Sequence, residues 1–131
     1  MNFNIKNEEE LYTEIGQLLI DSLPEDFQKA WIRVLMIDDV WSLSIYYLKE
    51  NGRYGYFVND SRELDDSFIK LRQAFKDAGQ EPWTMATFAL TNAGGMALDL
   101  GYEEPEFGYA PEQEEAWIQK YLGDDPQIDL E

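Results

Sequence analysis

The chain has 131 residues, enough for one domain with one core. It sets 27 Asp and Glu against 10 Lys and Arg, a net charge of −17, contains no His and no Cys, and is still 15% aromatic. That composition excludes disulfides, thiolate or imidazole nucleophiles and His/Cys zinc sites, disfavours phosphate-rich ligands, and is too aromatic for a disordered acidic chain.

Leu11, Ile15, Leu18, Leu19 and Leu23 recur at helical spacing over Asn7–Leu23, with Asn7 and Glu10 placed as a capping box and Pro24 as the stop. Lys29–Ile37 is apolar on both alternations except at Lys29 and Arg33, which reads as an inner strand covered on both faces. Arg33 is expected at a sheet edge or beside a carboxylate. Val40–Lys49 is a second strand, with Trp41, Leu43, Ile45 and Tyr47 on one face. Asn51-Gly52 is a hairpin turn leading into Tyr54–Val58. Leu64, Phe68, Leu71, Phe75 and Ala78 define a second helix, closed by Gly79. Trp83–Thr91 and Met96–Leu100 are two more strands around an Asn92-Ala93-Gly94-Gly95 turn. Pro111–Leu122 is a short helix with Trp117, Ile118, Tyr121 and Leu122 on its apolar side. The order α-β-β-β-α-β-β-α predicts a single α+β domain over residues 1–131. Its sheet should be mainly antiparallel, of about five strands, with the helices packed on one face. A frayed, flexible acidic tail is expected over 124–131. Leu18, Ile32, Leu43, Phe75, Trp83, Phe88 and Trp117 are the expected core.

The acid is segregated. Asp99–Glu131 holds eleven carboxylates and one Lys, a net −10 over 33 residues, whereas Phe27–Leu98 nets −1. Composition alone favours a solvated face; the sharper reading is a surface for a basic partner. Within it, Tyr102 to Tyr109 interleaves carboxylates with aromatics on a loop, the mixture in which charges steer and aromatics anchor. The candidate contact residues are Glu103, Glu104, Glu106, Phe107, Tyr109, Glu112, Glu114 and Glu115. Adjacent acids such as Asp38-Asp39 or Asp124-Asp125 leave open a small carboxylate enzyme or metal binder, although no calcium-loop pattern is present. An acidic nucleic-acid mimic is the third class. No catalytic residue, cofactor or metal ligand is assigned, and no small-molecule substrate is expected. No apolar run nears the roughly 20 residues of a membrane span, and the start is not a signal peptide, so no membrane is expected and the cytoplasm is the expected location.

Several segments, in order, resemble the YezG-like immunity proteins. These are Leu23-Pro24-Glu25-Asp26-Phe27 after the first helix, Ser44-Ile45-Tyr46-Tyr47-Leu48, and Leu71 to Thr84 with its Gly79-Gln80-Glu81-Pro82-Trp83. Met85–Thr91, Tyr102-Glu103 and Trp117 to Gly123 complete the likeness, which runs from about Leu11 to Gly123. The resemblance implies a bacterial immunity protein, the antitoxin of a polymorphic toxin system. Such a protein is not an enzyme; it binds a cognate toxin domain, often a nuclease, and blocks it stoichiometrically. It also implies that Pro82 and Trp83 are structural and that toxin-facing residues vary, which leaves the acidic loop as the candidate contact.

Overall fold

A computed structural model of the chain describes residues 5–107 and 111–130. The elements are α1 (Ile5–Ser22), β1 (Lys29–Ile37), β2 (Val40–Leu48), β3 (Tyr54–Val58), α2 (Arg62–Asp77), β4 (Met85–Thr91), β5 (Met96–Gly101), α3 (Pro111–Tyr121) and β6 (Ile128–Leu130). One sheet runs β5-β4-β1-β2-β3-β6. Every neighbouring pair is antiparallel except β3–β6, which is parallel. The α+β class is as expected. The strand count is six rather than five, and the sheet is mixed.

The sixth strand comes from the segment expected to fray. Asp129 holds it there: its carboxylate takes Lys49 at 3.2 Å and also pairs with Arg53, beside β3. Tyr54 N–H donates to Gln127 O at 2.8 Å, extending the ladder by one residue. Three residues flanked by acids carry too little alternation to read as a strand, so a long-range ion pair decides the matter.

The helices cover both faces, not one. Ile32, Val34 and Met36 of β1, with Leu43, Ile45 and Tyr47 of β2, pack under α1 and α2 against Ile15, Leu19, Leu64, Phe68 and Leu71. Trp31 and Tyr46 point the other way and meet Trp117, Ile118, Tyr121 and Leu122 of α3 and its end. The double-sided apolarity of β1 therefore has two separate partners. Of the expected core, Ile32, Leu43, Trp83 and Phe88 are buried, whereas Leu18, Phe75 and Trp117 are half-buried and packed against it.

Local signals explain most boundaries. α1 starts at Ile5, so Asn7 lies in its first turn rather than at its cap. Ser61 caps α2, its Oγ accepting from Leu64 N–H at 3.2 Å, and Gly79 at φ +76° follows its end. Gly52 at φ +86° makes the β2–β3 turn, where only glycine sits without strain. Gly55 serves a different need: the Tyr47 ring lies across it, and a Cβ there would run into the ring. Trp83 precedes β4 as a core plug, edge-on to Phe68 at 6.5 Å, while Arg72 Nε donates to its carbonyl at 2.7 Å. No helix among the described residues is long and apolar enough to cross a membrane.

Candidate functional site

The acidic surface lies where β5 hands over to α3. The chain leaves the sheet at Gly101, runs through Tyr102–Phe107, and enters α3 at Pro111. Two side chains pin the loop. Thr84 Oγ1, just ahead of β4, donates to Glu103 O. Gln113, in the first turn of α3, donates from Nε2 to Glu104 O at 3.0 Å and accepts at Oε1 from Glu106 N–H at 2.9 Å. One amide so satisfies a donor and an acceptor of the same loop, and Pro105 is buried between them.

This framing leaves the carboxylates outside. Glu103, Glu104 and Glu106 are exposed, as are Glu112 and Glu115 on α3, while Phe107 is half-buried. Tyr109 lies outside the described residues. Glu114 behaves differently: it is half-buried and accepts from Tyr46 Oη at 3.3 Å. Among the described residues the carboxylates in ion pairs are Glu25, Asp38, Asp66 and Asp129, and none of the candidate glutamates is among them. The loop and first turns of α3 thus carry several unneutralised charges on a backbone that is held in place.

The base under this surface is aromatic and hydrogen-bonded. Trp117 lies 4.6 Å from the Tyr46 ring and 5.0 Å from the Tyr121 ring. Its Nε1–H donates to Thr87 Oγ1 at 2.9 Å, and Tyr121 Oη donates to Asp99 Oδ2 at 2.8 Å. Tyr54 Oη donates to Leu122 O at 3.2 Å, fixing the far end of the helix. Burial first, and then the Glu114 carboxylate, push the Tyr46 hydroxyl far above its ordinary value of 10.0. Burial likewise raises Tyr121, helped by its bond to Asp99.

Between α3 and strands β1, β4 and β5 lies a cavity of about 360 Å³, lined among others by Arg33, Thr87, Asp99, Trp117 and Lys120. Arg33 is not at a sheet edge. It sits on inner strand β1 between Ser44 and Thr87, half-buried, and forms no ion pair among the described residues. The sequence marks Arg33 as unusual but not its cavity, and nothing in it marks Gln113, whose importance depends on a loop seven to nine residues away. No group of three or more acids among the described residues is placed to hold a metal ion.

The site so described is a set of exposed carboxylates on a hydrogen-bonded backbone. Residues 53–131, more than half of the chain, match the family described as Immunity protein YezG-like, and the chain belongs to that family. It is similar to Immunity protein YezG of Bacillus spizizenii, 22% identical over 87% of this chain and 81% of that protein. It is also similar to Immunity protein YezG of Bacillus subtilis, 27% identical over 73% of this chain and 74% of that protein. A third relative is the Type VII secretion system protein EsaG of Staphylococcus aureus, 25% identical over 75% of this chain and 71% of that protein.

Proposed function

We propose that this immunity protein neutralises its toxin one-to-one, in the cytoplasm, with the acidic surface from Glu103 to Glu115 as its contact and a basic toxin domain, expected to be a nuclease, as its partner. It works by protein–protein binding and not by turnover. In this reading the whole chain acts as one domain.

The observation that carries the reading is the combination at Gln113. The loop backbone is bonded on both sides while Glu103, Glu104, Glu106, Glu112 and Glu115 are exposed and in no ion pair among the described residues. A charge on a fixed backbone costs less order to engage than one on a mobile loop, so its attraction is not spent on ordering. Exposed charges are screened beyond roughly 8 Å and single pairs contribute about 0–1 kcal/mol, so their main effect is on encounter rate. Holding requires apolar anchors, for which Phe107 and Tyr109 are the candidates.

Titration of a candidate cognate toxin domain with this protein tests the reading. Loss of toxin activity should be complete at one equivalent, and the complex should have the mass of one copy of each chain. Toxin activity unaffected by excess protein would overturn it.

A further inference from the structure

β5 is an edge of the sheet, and its outer side is bonded to nothing among the described residues. Thr91 N–H donates to Gly95 O at 2.8 Å, which sets the phase of the β4–β5 ladder. By the alternation of an antiparallel pair, Ala97 and Asp99 turn their backbone groups toward β4. Met96, Leu98 and Leu100 therefore turn their N–H and C=O groups outward. This open row runs along a six-residue strand that contains no Pro, no Lys and no Arg. Pro and Lys are among the devices that ordinarily blunt an edge, and the one charge on this strand is Asp99. The opposite edge, β6, is only three residues long and its Asp129 is already engaged by Arg53 and Lys49.

The side chains state what would fit. On the α1 face, Met96 is 47% exposed, and Leu98 and Leu100 are half-buried at the rim of the core. On the α3 face the strand offers Asp99, exposed, bonded to Tyr121 Oη and in no ion pair among the described residues, and the chain continues at once into Glu103 and Glu104. We infer that β5 accepts an extended segment of the toxin domain as a seventh strand. Residues of that segment beside Leu98 and Leu100 would be apolar, and those beside Asp99 would be Lys or Arg. A second copy of this chain fits poorly, because each carries −17 and would bring its own Asp99 to the junction.

The inference rests on the toxin-binding reading and deepens it. A stable complex buries about 800 Å² on each partner, more than one short loop supplies, and strand addition adds continuous backbone bonds beside the loop.

Amide hydrogen exchange decides. In the isolated protein the amides of Met96, Leu98 and Leu100 should exchange quickly. In the complex with the cognate toxin domain, those of Leu98 and Leu100 should slow by about 100-fold or more. Met96→Pro removes one outward donor at a position where an edge strand tolerates proline, and should speed dissociation about 3- to 10-fold relative to Met96→Ala. A complex that forms without slowing these amides overturns the strand addition and leaves the toxin-binding reading intact. Failure of any complex to form overturns both. Slow exchange of the same amides in the isolated protein, at twice the mass of one chain, overturns it in favour of self-pairing.

Discussion

The two faces of the sheet are built from different materials. Under α1 and α2 the contacts are Ile15, Leu19, Leu64, Phe68, Leu71 and Phe88, all at most 1% exposed and all without a polar atom in the side chain. Under α3 they are Trp31, Tyr46, Tyr54, Tyr56, Trp117 and Tyr121, and no residue of α3 itself is buried. The first face gains stability chiefly by removing apolar area from water, although it also buries the polar-tipped rings of Tyr47 and Trp83. The second must satisfy an indole N–H and several hydroxyls, and does so through Thr87, Asp99, Glu114 and the Leu122 carbonyl. The division separates two tasks. The α1/α2 face buries the larger apolar cluster, and the α3 face carries the helix whose Gln113 holds the acidic loop.

Substitutions on the two faces should therefore differ in size and in what they change. Phe68→Ala empties a fully buried site against Trp83 and should cost about 3–5 kcal/mol by urea unfolding. A loss near 1 kcal/mol would mean that this face is not the main source of stability. Trp117→Ala, on the half-buried face, forfeits two aromatic contacts and the bond to Thr87, and should cost about 1–3 kcal/mol. It should also loosen the loop, raising amide exchange at Glu104 and Glu106; unchanged exchange there would separate the helix from the loop it is argued to hold.

Two smaller effects depend on pH. The fold keeps the Tyr46 proton beyond the ordinary value of 10.0, so this group's contribution is whole below that value and is lost as pH rises above it. Wild type should then lose more stability than Tyr46→Phe between about pH 9 and pH 11. Equal losses would show that Tyr46 is not buried against Glu114. Asp129 has the opposite sign. Hydrogen bonds from Arg53 and Lys49 hold its carboxyl below the ordinary 3.8, so its contribution is present above that value and fades as pH falls through the lower, folded one. Asp129→Asn should lower the unfolding midpoint at neutral pH, with the gap to wild type closing on acidification. A gap independent of pH would mean that β6 is held by its backbone alone.

Most element boundaries were legible because they depend on neighbours in sequence. Lys29–Ile37 is apolar throughout its middle, Asn51-Gly52 has one common use, and Ser61, Gly79 and Pro111 mark helix ends. The features that were not legible are set by distant residues. β6 exists because Asp129 meets Arg53 and Lys49 across 76 and 80 positions. The apolar stripe of α3 announces a buried side but not which face of the sheet receives it; that follows from Trp31 and Tyr46 lying opposite the α1/α2 core. Of the candidate site, the charge segregation was visible and its framing was not. Glu103, Glu104, Glu106, Glu112 and Glu115 are each exposed, but Glu114 is half-buried against Tyr46, a split that composition cannot show.

Under the proposed function, a fixed acidic loop on the α3 side receives the toxin. Association kinetics with the toxin domain, measured across salt for wild type and for Glu103→Gln, Glu104→Gln, Glu106→Gln combined, test it most directly. The variant keeps the backbone bonds to Gln113 and loses three charges, so it should fold as wild type. Steering raises encounter rates by about 10- to 1,000-fold, and the variant should associate at least about 10-fold more slowly at low salt, with a flatter salt dependence and a nearly unchanged dissociation rate. Association as fast as wild type at low salt would contradict the account and place the contact elsewhere on the molecule.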